Sequence, residues 1–279
     1  FNPTFEKGES IETLVKANVL NPELSNIFTG YDLYRHQVEA IKQGTKGKSF
    51  IVTSGTGSGK SLTFLATIFS DLLGHDYGKG VKAILVYPMN ALINSQEEEI
   101  NKYADNYLKA SGNEFPISYA KYTGQESGEQ REALRQNPPD IILTNYMMLE
   151  LIMTRASERA IRDSFFESLR YLVYDELHIY RGRQGADVSL LNRRIHASCE
   201  NDLICIGTSA TMASGGLVKE QKITVAKVGK QIFDKSFEIE QIIGEYLEYT
   251  TDKNKFSSTA LTSSLNKEIS ISGEPGLFI

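Results

Sequence analysis

The chain has 279 residues, a formal net charge of −5, 41% hydrophobic and 23% charged residues, which suits one large or two modest globular domains. No apolar run reaches the length of a membrane span and no secretory leader pattern opens the chain, so no membrane partner is expected. Cys199 and Cys205 form neither a CxxC nor a metal-ligand spacing, which excludes a disulfide scaffold or zinc module and fits a reducing, cytoplasmic setting; the acidic balance excludes a protein that grips nucleic acid by bulk charge alone.

In chain order, residues 1–44 read as mostly helical. The first strand is predicted at Ser49–Thr53 and runs into Thr53-Ser54-Gly55-Thr56-Gly57-Ser58-Gly59-Lys60-Ser61, after which Lys60–Leu73 is apolar and helical. Strand, glycine loop and helix together make the layout that cradles phosphate. Glycines let successive backbone N–H groups turn toward one anion, and the helix start adds its positive dipole end. Residues Ser54, Gly55, Thr56, Gly57, Ser58 and Gly59 are therefore candidates for holding a nucleotide. Lys60 would reach its β- and γ-phosphates, and the Ser61 hydroxyl would ligate Mg²⁺. Chance alone gives G-x-G-K-[ST] in about one chain in a hundred of this length, and the flanking strand and helix make a plain linker a poor reading. The general pattern asks for glycine where this chain has Ser54.

Further strands are predicted at Lys82–Tyr87, Ile117–Tyr122, Ile141–Thr144, Tyr171–Tyr174 and Leu203–Gly207. Between and after them lie helices at Ala91–Ala110, Gly128–Gln136, Tyr146–Met153, Glu158–Ser168, Ala186–Ser198 and Leu217–Phe233. Strands that are apolar throughout imply a sheet covered on both faces. Regular strand–helix alternation implies parallel strands joined by right-handed crossovers. From Ser236 the pattern weakens: Phe237–Tyr249 is apolar enough to pack, and Ser257–Ser264 is Ser/Thr-rich and reads as loop.

The strand at Tyr171–Tyr174 ends in Asp175-Glu176-Leu177-His178. In a phosphate-loop protein the carboxyl end of a neighbouring strand faces the nucleotide. There Asp175 would hold Mg²⁺ through water, and Glu176 would act as the base for the attacking water.

These segments resemble the superfamily 2 helicases of the DEAD/DEAH-box type. Asp175-Glu176-Leu177-His178 looks like their motif II in its D-E-x-H form, and Gly207-Thr208-Ser209-Ala210-Thr211 looks like motif III. Leu33-Tyr34-Arg35-His36-Gln37 looks like the Q motif. Tyr87-Pro88-Met89-Asn90-Ala91-Leu92-Ile93-Asn94-Ser95-Gln96 resembles motif Ia, Tyr122-Thr123-Gly124 motif Ib, and Thr144-Asn145-Tyr146-Met147-Met148-Leu149 the segment that follows, with Asn145 in place of the usual Pro.

By that resemblance the fold is a RecA-like three-layer α/β/α domain with a mostly parallel sheet over 46–235. A short helical segment, 1–45, precedes it, and 236–279 is a linker or the start of a following region. Gln37 reads the adenine edge with Tyr34 or Arg35 against the base, and ATP and Mg²⁺ are the cofactors. Asp175, Glu176 and Lys60 carry the chemistry. Ser209, Ala210 and Thr211 couple nucleotide state to nucleic-acid grip. Pro88, Asn90, Asn94, Thr123, Gly124 and Asn145 touch a nucleic-acid backbone.

The run Arg181-Gly182-Arg183-Gln184-Gly185 after motif II, followed by Arg193-Arg194, is similar to the large helicase-related and Hrq-type DNA helicases and to long helicases of bacterial defence systems. This makes DNA the expected partner over RNA, with Arg181 and Arg183 as contacts. The sequence lacks the Q-x-x-G-R-x-x-R pattern of the second motor domain. The chain is thus expected to be the first motor domain of a longer ATP-dependent DNA helicase or translocase, poorly active by itself, with an RNA helicase or a nucleotide-dependent clamp as the alternatives.

Overall fold

The computed structural model describes residues 4–55, 57–210 and 218–248. Lys7–Glu245 make one compact unit, which runs across residue 45 and past residue 235, the expected bounds of the ATP-binding domain. Residues 4–6 and 246–248 belong to a second, small unit, in which the Glu6 amide donates to the Tyr246 carbonyl and the Glu248 amide to the Thr4 carbonyl, both at 2.8 Å.

The large unit is built on a seven-stranded sheet with strands β3 (Phe50–Thr53), β4 (Ala83–Tyr87), β5 (Tyr119–Tyr122), β6 (Ile141–Asn145), β7 (Tyr171–Tyr174), β8 (Ile204–Ser209) and β9 (Ile242–Gly244). Their spatial order is β5-β6-β4-β7-β8-β3-β9 and every pairing is parallel. Consecutive residues alternate between two cores. Val52, Leu85, Leu143, Val173 and Ile206 pack on one face with α3 (Arg35–Gly44), α4 (Lys60–Gly74) and α5 (Asn90–Ser111). Ile51, Ile84, Val86, Ile142, Leu172 and Tyr174 pack on the other with α7 (Tyr146–Thr154), α8 (Arg159–Ser168), α9 (Gly182–Ser198) and α10 (Val218–Phe233). Both faces are covered, so the strands read as unbroken apolar runs rather than alternating ones. The three-layer RecA-like architecture follows.

Residues 7–44 add a strand pair to the helices expected there. Lys7–Ser10 (β1) and Asp32–Tyr34 (β2) form an antiparallel pair beside the short helices α1 (Ile11–Lys16) and α2 (Leu24–Ile27). This segment is sealed into the core of the unit: the Phe28 ring lies 4.7 Å from that of Tyr103 on α5 and 6.2 Å from that of Phe69 on α4. β9, in the stretch read as linker, completes the sheet by pairing Ile242 and Ile243 with Ile51 and Val52. Helix α6 (Gly128–Gln136) opens with a capping box, in which the Ser127 hydroxyl accepts the Gln130 amide and the Gln130 side chain accepts the Ser127 amide.

Candidate nucleotide site and nucleic-acid edge

The sheet order decides which loops meet. The phosphate loop follows β3 and the acid pair follows β7, and β8 runs between them. All three strands are parallel, so their carboxyl ends share one edge, where ligands of such sheets bind.

The loop is braced from inside. The Ser54 and Ser58 hydroxyls share a hydrogen bond of 2.6 Å, both fully buried, and the Ser54 amide donates to the Ser209 carbonyl of β8 at 3.2 Å. Serine at the usual glycine position thus ties the two ends of the loop together. The Lys60 ammonium donates to the carbonyls of Ser54 at 3.0 Å and Gly55 at 3.3 Å and lies 3.9 Å from Glu176 Oε1. Gly59 starts α4 in the left-handed region, φ 68°, and a Cβ there would stand 2.4 Å from Gln37 Nε2. Glycine is required twice over, by backbone angle and by close approach. Ser61 lies in the first turn of α4, half-buried. Thr56 lies outside the described residues.

Gln37 sits under the loop. Its amide nitrogen donates to the carbonyls of Ser58 at 3.2 Å and Gly59 at 2.9 Å, and its Oε1 accepts the Tyr34 amide at 2.8 Å. Two carbonyls on one side and an N–H on the other fix which end is nitrogen. His36 Nε2 donates to the Ser58 carbonyl at 3.1 Å. Burial lowers the His36 pKa from its ordinary value, so the ring is neutral at pH 7. The Tyr34 ring stacks on that of His36, centroids 5.8 Å apart. The Gly55 amide donates to the Glu245 carboxylate, just past β9, at 2.8 Å.

The acid pair is held by the end of β8. The Thr208 hydroxyl donates to Asp175 Oδ1 and accepts the Glu176 amide at 3.1 Å. Glu176 Oε2 accepts the Ala210 amide at 3.2 Å and lies 3.1 Å from His178 Nδ1, which is 3.3 Å from the Ser209 hydroxyl. Burial and the neighbouring Glu176 charge push the Asp175 carboxyl above its ordinary range against the pull of the Thr208 hydrogen bond and Lys60. Glu176 itself takes a left-handed backbone, φ 54°, uncommon for a side chain with a Cβ. The turn that results buries Leu177, and a Cβ on Gly207 would lie 2.3 Å from Leu177 Cδ1. Thr211 lies outside the described residues, so of the expected coupling residues Ser209 and Ala210 are placed.

Three of these holders, Thr208, His36 and Glu245, carry no role in the sequence reading. Thr208 stood inside the quoted motif as a buried strand-end hydroxyl. Glu245 had no local signal, since its partner is 190 residues away. Among the described residues no cluster of three or more His, Cys, Asp or Glu side chains could hold a metal ion alone. Ser61 and Asp175 suit Mg²⁺ nonetheless, because that ion takes one or two protein oxygens and draws the rest from phosphate and water.

The other half of the edge carries the expected nucleic-acid segments on adjacent strands, β5, β6 and β4. Asn145 Nδ2 donates to Asn90 Oδ1 at 2.8 Å while its Oδ1 caps α7 at the Met148 amide, also 2.8 Å. Pro88 is half-buried and Asn94 exposed, the latter accepting Lys121 Nζ at 3.0 Å. Thr123 and Gly124 follow β5, and their amides turn onto Glu126. The arginines do not form one cluster. Arg181 and Arg183 are exposed at the start of α9, whereas Arg193 and Arg194 lie about 15 Å further along it and pair with Asp234 and Glu150. No helix among the described residues is long and apolar enough to cross a membrane.

The sequence pattern of the DEAD/DEAH box helicases matches residues 34–217. The chain is 30% identical over 216 residues to YprA of Bacillus subtilis, an ATP-dependent helicase described as uncharacterized, across 76% of this chain and 26% of YprA. It is 32% identical over 203 residues to the ATP-dependent helicase HRQ1 of Saccharomyces cerevisiae, across 70% of this chain and 18% of HRQ1. The chain therefore spans about a quarter or less of the length of these relatives. In fold it resembles the DUF1998 helicase MrfA crystallised with DNA and AMPPNP, with a TM-score of 0.67 at 23% identity over 96% of this chain and 36% of that one. With the family pattern spanning most of its length, and the phosphate loop, acid pair and Thr208–Ala210 strand end on one edge of a parallel sheet, the chain belongs to the DEAD/DEAH box helicase family, of which it carries the first RecA-like domain.

Proposed function

We propose that this chain is the nucleotide-binding half of an ATP-dependent DNA helicase or translocase that works in the cytoplasm and is completed by a second RecA-like domain. The observation that carries this reading is the meeting of three loops at one edge, with Lys60 Nζ 3.9 Å from Glu176 Oε1 and Thr208 bonded to both acids. In this reading Lys60 leaves its loop carbonyls for the β- and γ-phosphates. Ser61 and Asp175 hold Mg²⁺, which supplies neutralisation of phosphate charge. Glu176 takes the proton of the attacking water. Gln37 keeps the loop in shape through its nitrogen and retains a lone pair on Oε1 for the adenine amino group.

DNA is favoured by the structural likeness to MrfA, crystallised with DNA, and by the exposed Arg181 and Arg183 beside motif II. The test is steady-state ATPase of the complete protein with single-stranded DNA, duplex DNA and RNA in parallel, alongside Lys60→Ala and Glu176→Gln. Lys60→Ala is expected to remove most ATP affinity, and Glu176→Gln to bind ATP without turning it over. Stimulation by RNA alone would make it an RNA helicase. Normal turnover by Glu176→Gln would remove Glu176 as the base.

A further inference from the structure

Thr123 and Gly124 present two consecutive backbone N–H groups and a hydroxyl to one point, and that point is filled. Glu126 Oε1 accepts the Thr123 amide at 2.9 Å and its hydroxyl at 2.7 Å. Oε2 accepts the Gly124 amide at 2.8 Å and the Thr123 amide again at 3.1 Å. Converging amides of this kind form an anion nest, and a carboxylate and a phosphate oxygen make the same demands on it. The backbone of Glu126 is anchored as well, because Arg131 donates to its carbonyl through Nε at 3.1 Å and Nη2 at 3.0 Å. Burial works against the charge of Glu126, yet the hydrogen bonds from Thr123 and Gly124 outweigh it and hold the carboxyl below its ordinary range. The neighbouring cation is engaged too: Lys121 lies 2.8 Å from Glu97 and donates to Asn94 at 3.0 Å. Lys121, Glu126 and Glu97 line one cleft of about 370 Å³ along the edge strand β5.

We propose that Glu126 is a built-in competitor for the nucleic-acid phosphate, occupying the Thr123–Gly124 nest so that a strand docks there by displacing a carboxylate. The proposal rests on the reading of Thr123 and Gly124 as backbone-contact positions. Its consequence is that the intrinsic grip of this edge is set below what its donors would supply. Like charges cannot share the nest, so each docking event gives up the Glu126 bonds and meets its repulsion.

The test is anisotropy titration of this chain with a fluorescein-labelled oligodeoxythymidylate over a range of salt. Glu126→Gln keeps one acceptor oxygen and the side-chain shape but loses the charge. It is expected to tighten binding about fivefold at low salt, the effect of lifting one charge from contact distance in water. Its advantage over the parent should shrink as salt rises, because the repulsion it removes is screened. Glu129→Gln removes an equal charge from an exposed position on α6 and is expected to change affinity less than about twofold, as a screened surface charge does. Equal tightening by Glu129→Gln would overturn the proposal, since net charge would then explain it. So would unchanged or weaker binding by Glu126→Gln, whether or not its melting temperature falls, because Glu126 would then be a loop brace alone. Asn94→Asp separates the underlying reading: if it weakens binding while Glu126→Gln has no effect, the strand runs along this edge and the competitor is refuted. If neither variant has any effect, the strand runs elsewhere and the path itself fails.

Discussion

Replacing Thr208 by valine isolates the contact that joins the end of β8 to the acid pair. Valine keeps the shape of threonine, and the side chain is fully buried, so no cavity opens. What is lost is the hydroxyl that donates to Asp175 and accepts the Glu176 amide. A hydrogen bond to a charged group contributes about 1.5 to 3 kcal/mol, and a backbone amide left without its acceptor costs about 1 kcal/mol or more. Asp175 is half-buried, so water recovers only part of the first loss, and the net cost comes to about 2 kcal/mol. Thr208→Ser keeps the hydroxyl and loses a methyl, worth about 0.8 kcal/mol. In urea denaturation, with a slope near 2 kcal/mol/M, the valine variant should unfold about 1 M earlier than the parent and the serine variant less than half as far. A valine midpoint within about 0.2 M of the parent's, on that same scale, would refute the argument that Thr208 anchors the acid pair.

Three further outcomes are expected. Gly59→Ala should weaken ATP binding more than about tenfold in calorimetry, because it adds about 1 to 2 kcal/mol of backbone strain and drives the Gln37 amide off the loop carbonyls; Gly57→Ala, whose Cβ would meet open space at φ 78°, carries the strain alone, and equal losses would mean that Gln37 does not brace the loop. Asn145→Ala removes both the cap on α7 and the bond to Asn90, for about 1 to 2 kcal/mol, read as a fall of about 2 to 8 °C in the melting temperature; an unchanged melt would show that the cap contributes nothing. Burial depresses the folded pKa of His36, so the unfolded chain takes up the proton first and stability drains away as pH falls below about 6.5; the stability difference between parent and His36→Gln, followed from pH 7.5 to 5 by urea titration, should shrink or reverse toward acid, a pH-independent difference would remove the effect of burial on this ring, and a difference that grows toward acid would place a charged histidine in the fold.

The elements legible from sequence were those whose signal is local. Apolar runs of four to six residues marked β3, β4, β6, β7 and β8 because both faces of each are buried. The glycine loop was legible because its conformation demands its residues. Three short strands were not. Lys7-Gly8-Glu9-Ser10 is polar with no buried residue and Asp32-Leu33-Tyr34 buries Leu33 alone, and Ile242-Ile243-Gly244 is a strand because β3 lies beside it. The same division holds in the site. Lys60, Asp175 and Glu176 announce themselves by type and spacing. Several of the contacts around them run through backbone groups, as those of Glu245 on Gly55 and of Glu126 on Thr123 and Gly124 do, and backbone donors leave no mark in a sequence.

What sequence order hides most completely is that β8 stands between the two halves of the nucleotide site. The loop and the acid pair are more than a hundred residues apart in the chain, and Thr208 to Ala210 come after both. In the sheet, the order β7-β8-β3 makes that strand end the sole strand separating them. Its carbonyl at Ser209 takes the Ser54 amide on one side, and its hydroxyl and amide at Thr208 and Ala210 take the acids on the other. Under the proposed function, a phosphate that draws Lys60 away from the Ser54 and Gly55 carbonyls would therefore change the load on a segment already bonded to Asp175 and Glu176. Hydrogen bonds that run through one strand end in this way give the loop and the acids a second link beside the 3.9 Å approach of Lys60 to Glu176, and this is the physical content that the order of the strands adds to the order of the residues.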